Sequence, residues 1–237
     1  AEMERRARAL GAQTGFPFEA ALRGKDIAFI CEVKKASPSK GVIALEFPYR
    51  QIALDYEAAG AAAVSVLTEP AYFQGADAYL SDIAAAVGIP VLRKDFTVDS
   101  YMIYEARTLG AAAVLLIAAL LDGDTLRDYI GVAHSLGLSA LVEAHTAEET
   151  EVAVKAGARI IGVNNRDLRT FQVDTGNCLR LRPLVPRSVL FVAESGVRTA
   201  ADIDRLRAGG VDAVLVGETL MRAPDRKAAL AALRGTP

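Results

Sequence analysis

The sequence is poor in the residues that staple or metallate small proteins. Only two cysteines occur in 237 residues. Cys31 and Cys178 are far apart and in no metal-ligand spacing, which argues against a disulfide scaffold and suits a reducing, cytoplasmic compartment. Cys31 lies in an apolar run and reads as a small core residue. Excess charge of either sign is missing too. The formal net charge of -2 gives no field for broad nucleic-acid or anionic-membrane binding, although a local basic pocket remains compatible with it. Long apolar runs are also absent: the longest, Ala111–Leu121, is too short to span a bilayer. Residues 1–10 are charged and helix-like rather than a secretory signal. Their helical pattern is already under way at Ala1, so a few residues are expected to precede it. No GxGxxG follows the first apolar run, which weakens a dinucleotide-binding reading. No Ser/His/Asp or Cys/His set is evident, which disfavours hydrolase chemistry.

What is present is apolar and regularly spaced. Hydrophobic residues make up 52% of the chain and charged residues 24%, enough to bury a large core and to set disorder aside. Short apolar runs recur at Ala28–Val33, Ala62–Leu67, 90–92, Ala112–Ile117, 140–142, 160–163, 189–192 and Ala213–Val216. Most are continuous rather than alternating, as in strands of a parallel sheet covered on both faces. Between them lie helical patterns. Tyr49, Ile52, Ala53 and Tyr56 share one face, as do Ile103, Ala106 and Gly110, and Pro48 suits a first helical turn. Glycines at 60, 88, 110, 137, 157 and 210 fall where a helix would close before the next strand. Eight strand-then-helix units in a chain near the ~250 residues typical of such folds predict a closed (β/α)8 TIM barrel. An open doubly wound sheet is the alternative. With no linker or low-complexity segment, the economical division is one barrel domain over 25–237, preceded by a helical extension over 1–24 that caps the barrel bottom or edges the site.

In an α/β barrel, chemistry sits at the C-terminal ends of the strands. The first run ends in Glu32, Val33, Lys34 and Lys35, and the third in Arg93, Lys94 and Asp95. The fifth ends in Glu143 and the sixth in Asn164, Asn165, Arg166 and Asp167. The seventh ends in Glu194, Ser195 and Gly196, and the eighth in Gly217 and Glu218. Closure would bring two lysines and up to three carboxylates into one small volume. Such charges are costly to bury unless paired, and pairing prepares acids and bases for use near neutral pH. Gly196 and Gly217 allow backbone N–H groups to approach an anion, at the place where barrel enzymes often hold a phosphate.

The segment Cys31-Glu-Val-Lys-Lys-Ala-Ser-Pro-Ser-Lys-Gly41 resembles the signature of the indole-3-glycerol-phosphate synthase family. Further matches are Leu67-Thr-Glu-Pro70, Tyr72-Phe-Gln-Gly75, Leu92-Arg-Lys-Asp-Phe96, Val114-Leu-Leu-Ile117, Leu141-Val-Glu143, Gly162-Val-Asn-Asn-Arg-Asp-Leu168, Ala193-Glu-Ser-Gly-Val197 and Leu215-Val-Gly-Glu218. The resemblance runs from about Ile27 to Pro224. It departs only peripherally, in a short N-terminus and in Ala144 where a β-branched residue is common. It implies a cofactor-free and metal-free lyase of tryptophan biosynthesis. Such an enzyme closes a ring on a carboxyphenylamino-deoxyribulose phosphate, with loss of carbon dioxide and then water, to give indole-3-glycerol phosphate. Its partner is then this phosphorylated small molecule, with other tryptophan-pathway enzymes as candidate protein partners.

By the same resemblance Lys94 is the general acid at the sugar ketone, and Lys34 holds the substrate carboxylate or phosphate. Glu143 transfers a proton in dehydration. Glu32 keeps the lysines charged and contacts sugar hydroxyls. Asn164 and Glu194 bind hydroxyls and the ring-nitrogen region. Ser195, Gly196, Gly217 and the N–H of Glu218 hold the phosphate, with Ser37 nearby. Pro38, Phe73, Phe96, Leu115 and Leu168 are candidates for an apolar slot around the planar ring. Groups this close titrate as a set, so the carboxylates' individual proton transfers stay open. His145 is expected in a surface loop, and Asp122 and Asp124 at a helix start. Arg222, Asp225 and Arg226 are read as solvated helix ends. A Schiff-base aldolase using Lys94 or Lys34 as nucleophile, and a catalytically silent phospho-ligand-binding barrel, are the competing functions.

Overall fold

The alternation of side chains along each strand decides what faces the inside of this protein. The computed structural model describes residues 1–235; the last two positions of the expected barrel domain lie outside the described residues. Eight parallel strands form the closed barrel: β1 (Ala28–Val33), β2 (Ala63–Leu67), β3 (Val91–Lys94), β4 (Ala113–Ile117), β5 (Ser139–Ala144), β6 (Ile160–Asn164), β7 (Leu190–Glu194) and β8 (Ala213–Val216). Each pairs with its neighbours in sequence, and β1 closes the ring by pairing with β8, Ala28 opposite Ala213 through Cys31 opposite Val216. Four strands run further than their apolar runs indicated, because the ladder carries polar residues as readily as apolar ones: Leu67 sits opposite Lys94, Ile117 opposite Glu143, and Asn164 opposite Glu194.

Two cores result. Ile30, Leu92, Leu115, Leu141, Val192 and Leu215 point inward and fill the barrel. Their sequence neighbours Phe29, Cys31, Val91, Val142, Phe191 and Val214 point outward, under the helices. The helices are α1 (Glu2–Ala9), α2 (Pro17–Leu22), α3 (Tyr49–Ala58), α4 (Asp77–Ala84), α5 (Ser100–Thr108), α6 (Gly123–Ser135), α7 (Ala147–Lys155), α8 (Asn177–Leu181), α9 (Ala200–Ala208), α10 (Glu218–Met221) and α11 (Arg226–Arg234). A short antiparallel hairpin, Ala36–Ser37 with Gly41–Val42, follows β1.

The expected bottom cap is α2. Its Phe18 and Leu22 are fully buried and belong to the inner core, so they plug the N-terminal end of the barrel. Glu19 on the same helix is buried and anchored by Arg159 at 2.7 Å and Ser139 at 3.3 Å. Of the six closing glycines, five take a positive φ as expected. Gly88 does not. Its N–H instead donates to the Glu57 carboxylate at 2.7 Å, so a side chain, not a left-handed turn, closes that helix. Asp122 caps α6 and Asp225 caps α11 through their side chains. Arg226 departs from its expected solvated position: it is largely covered and pairs with Asp55 at 3.5 Å. Among the described residues no helix is long and apolar enough to cross a membrane.

Candidate active site

Period-two alternation carries the inward face of each strand up to the C-terminal rim, where it turns from apolar to charged. Ile30 is followed inward by Glu32, Leu92 by Lys94, Leu141 by Glu143, and Val192 by Glu194. These four come from β1, β3, β5 and β7. Alternate strands contribute one layer of a barrel interior, so a single layer carries three carboxylates around one ammonium. Glu32, Glu143 and Glu194 are each no more than 3% exposed. The Lys94 Nζ lies 2.9 Å from Glu143 Oε2 and 3.3 Å from Glu194 Oε2. A second ammonium, that of Lys34, donates to Glu32. Asn164 Nδ2 donates to Glu143 Oε1 at 3.2 Å.

Three buried carboxylates against two ammonium groups leave a surplus negative charge, and the local fields distribute it unevenly. Burial by itself would discharge Lys94, but the carboxylates of Glu143, Glu194 and Glu32 outweigh it and keep the amine charged well above its usual range. Burial would likewise raise Glu143, but the Lys94 ammonium, with the His145 ring beside it, holds its carboxyl down to about 2. Glu194 absorbs the surplus. Burial pushes it up to about 8, with Glu143 adding to the push against the pull of Lys94. Its Oε1 is buried with no hydrogen-bond partner.

The rim opens into a cavity of about 370 Å³. All sixteen residues singled out from the sequence line it: Glu32, Lys34, Lys94, Glu143, Asn164 and Glu194 in its polar part, Ser37, Ser195, Gly196, Gly217 and Glu218 along one side, and Pro38, Phe73, Phe96, Leu115 and Leu168 on apolar walls. Phe73 and Phe96 tilt against each other with ring centroids 6.1 Å apart, and Tyr72 meets the Phe96 edge at 6.3 Å. The loop bearing Tyr72 and Phe73 is fixed by the buried carboxylate of Glu69, which accepts their N–H groups at 2.6 and 3.1 Å.

After β7 the chain makes a turn of two left-handed residues, Ser195 at φ 67° and Gly196 at φ 87°. Such consecutive turns point backbone N–H groups into one concavity suited to an anion. A non-glycine residue rarely holds this conformation unaided. Here Asn165 Nδ2 donates to the Ser195 carbonyl at 3.1 Å. Asn165 is itself buried and accepts the Cys178 N–H at 3.0 Å. Gly217 serves by being small: a β-carbon there would strike the Glu32 carboxylate and lie 3.1 Å from the Lys34 amine.

Several strand-end residues leave the mouth. Arg93 falls on the outward parity of β3, where it pairs with Asp77 at 2.8 Å and Glu105 at 2.9 Å. Asp167 turns back to cap its own loop by accepting from Arg169 and Thr170. His145, expected in a surface loop, lies instead against the site. Its ring is 14% exposed and its Nε2 is 3.4 Å from Glu143 Oε1. The parity of β5 accounts for this, since position 145 continues the inward series 141, 143. Among the residues given no site role from the sequence, Tyr72, Arg166, Phe171, Val173 and Arg198 also line the cavity. The Asn-Asn-Arg-Asp segment already set Arg166 at a strand end, without a role. Tyr72 and Phe171 carry no such signal, because exposed loop aromatics have no periodicity.

A barrel whose strand ends converge on paired ammonium and carboxylate groups beside an anion-receptive turn defines an acid–base enzyme acting on a small anionic ligand. Comparison with known proteins narrows this class. The family model described as indole-3-glycerol phosphate synthase matches residues 1–233. The curated indole-3-glycerol phosphate synthase of Ruminiclostridium cellulolyticum is 61% identical over 221 residues, covering 93% of this chain and 85% of its own length. That of Endomicrobium trichonymphae is 60% identical over 205 residues, covering 86% and 80%. The chain belongs to the indole-3-glycerol phosphate synthase family. A solved mutant tryptophan synthase α-subunit from Pyrococcus furiosus superposes with a TM-score of 0.68, covering 89% of this chain and 99% of that one; at 13% identity it shares the fold.

Proposed function

We propose that this barrel closes the indole ring of a carboxyphenylamino-deoxyribulose phosphate, and that the charged layer at its mouth performs the proton transfers. The aromatic carbon bearing the carboxylate attacks the sugar ketone, and negative charge develops on the ketone oxygen. Lys94, kept charged by its carboxylate neighbours, donates to that oxygen as it becomes basic enough to take the proton. Loss of carbon dioxide restores the aromatic ring. Dehydration then removes a proton from the methylene carbon beside nitrogen, which the Glu143 carboxylate accepts, and Lys94 at 2.9 Å is its next partner. The resulting alcohol oxygen departs as water.

The remaining residues bind and orient. Lys34 holds the substrate carboxylate, and Glu32 holds Lys34. Asn164 and Glu194 face hydroxyl groups and the ring nitrogen. The Ser195–Gly196 turn, Gly217 and the N–H of Glu218 take the phosphate, with Ser37 beside them. Pro38, Phe73, Phe96, Leu115 and Leu168 enclose the planar ring. Residues 25–237 then work as one barrel domain with 1–24 as its extension, in the cytoplasm, and other tryptophan-pathway enzymes are the candidate protein partners. The buried free thiols of Cys31 and Cys178 are compatible with a reducing compartment.

The observation that carries this reading is Lys94 set between Glu143 and Glu194 at the floor of an apolar cavity. An amine held this firmly in the ammonium form is a proton donor rather than a nucleophile, which argues against the Schiff-base aldolase. Incubation with the carboxyphenylamino sugar phosphate should give rising indole fluorescence and no borohydride-trappable adduct. Lys94→Ala should lower kcat by about 10²- to 10⁴-fold while KM moves only a few-fold. Equal losses in kcat and in substrate affinity would reduce Lys94 to a binding residue.

A further inference from the structure

The proposed reaction consumes a proton. The ketone oxygen needs two to leave as water, and the methylene carbon returns one. The carboxylate departs as neutral carbon dioxide and leaves its electron pair in the ring, so it returns none. One proton must therefore enter from solvent in each turnover. Glu143 and Glu194, 3% and 2% exposed, cannot exchange freely with water, and a substrate seated in the cavity covers them from the mouth.

We infer that His145 and Glu149 form a proton inlet that reloads Glu143 from solvent behind the substrate. This rests on Glu143 being the base of the reaction. The His145 ring stands between two carboxylates: Nε2 is 3.4 Å from Glu143 Oε1, and Nδ1 is 3.3 Å from Glu149 Oε2. Nε2 is buried and makes no hydrogen bond in this arrangement, so a small movement of the ring suffices to engage Glu143. Glu149 lies on α7, and its side chain is 23% exposed, which makes it the end of the chain that meets water. The strand-to-helix turn holds the three groups in register. The His145 N–H donates to the same Glu149 oxygen at 2.6 Å, and its carbonyl accepts from Asn177 at 3.0 Å.

Among the described residues, the charged groups within ion-pair distance of the ring are Glu143 from β5 and Glu149 from α7. Lys94 of β3 lies one contact further on, through Glu143, and Glu194 of β7 two contacts on, through Lys94. A proton taken from water by Glu149 passes to Nδ1, while the Nε2 proton passes to Glu143 and thence to Lys94. The transfer leaves the imidazole protonated on Nδ1 instead of Nε2, so the ring must return to its first tautomer, by turning or through water, before the next turnover; no bond other than those to hydrogen changes.

The test uses the intact enzyme and its sugar-phosphate substrate. His145→Ala should lower kcat about tenfold, with KM little altered, and added imidazole should restore much of the loss. His145→Asn, which can hydrogen-bond but cannot pass a proton, should be as slow as His145→Ala. Full activity in His145→Ala, recovery in His145→Asn, or a loss that imidazole leaves untouched would each overturn the inlet. Glu143→Gln separates the two readings. An active Glu143→Gln enzyme removes the base assignment on which the inlet depends. An inactive one alongside an unimpaired His145→Ala enzyme overturns the inlet alone.

Discussion

A glutamate that holds its proton at neutral pH is a liability for folding. Glu194 is pushed up to about 8 from an ordinary 4.5. Between those values the native state binds more proton than the unfolded chain, and stability is lost as pH rises through the window. Glu194→Gln keeps the size and removes the titration. Between about pH 6.5 and 8, above the range in which half-buried His134, lowered from 6.5 to about 4, adds stability with rising pH, the urea midpoint of this variant should stay level while the parent declines; parallel curves would show that Glu194 ionises normally. Glu143 works in the opposite direction. Held down to about 2, it contributes stability above its ordinary value that is surrendered as pH falls towards 2. Two carboxylates with one ammonium between them are thereby driven apart in affinity for protons, and this separation is what an enzyme needs from an acid and a base side by side.

Elements matter here through parity and through loops that brace one another. Inward parity explains why the strand ends were legible in the sequence: once a run was recognised as a buried strand, Glu32, Lys94, Glu143 and Glu194 were its polar residues on the inward face. Parity applied strictly would also have excluded Arg93 and admitted His145. Both escaped because a run of consecutive apolar residues hides which face is which. The loops were less legible. The segment after β6 holds the turn after β7 through a single amide, and no local pattern announces a contact between Asn165 and Ser195. Asn165→Ala should release that carbonyl. KM for the sugar phosphate and the inhibition constant of inorganic phosphate should then rise together, roughly five- to thirty-fold for the loss of a hydrogen-bonded brace of about 1–2 kcal/mol, with kcat nearly kept. A rise in KM without a parallel rise for phosphate would mean that Asn165 serves another part of the cavity.

At the scale of the whole molecule, a nearly neutral protein has a mouth of mixed charge. The net charge is -2, and carboxylates outnumber Lys and Arg side chains six to four around the cavity, but Glu32 and Glu143 are ion-paired within its floor, and Arg166 and Arg198 lie within two residues of Asn165 and Gly196 at the anion-receptive turn. Those two guanidinium groups attract a phosphate over a distance comparable with the screening length, about 10 Å at 0.1 M salt and about 3 Å at 1 M. The value of kcat/KM should therefore fall several-fold over that range while kcat changes little, and a flat profile would show that capture owes nothing to these cations. Net charge alone could not have revealed this, since it averages over the surface. The barrel itself was readable because eight buried strands must be covered by helices and closed on themselves.

Closure at the base has a consequence for traffic. With Phe18 and Leu22 stoppering the far end, the vessel has one doorway. Carbon dioxide, water and the bulky indole product all depart the way the sugar came in, past the same aromatic rim, so each cycle is bounded by how quickly that threshold clears.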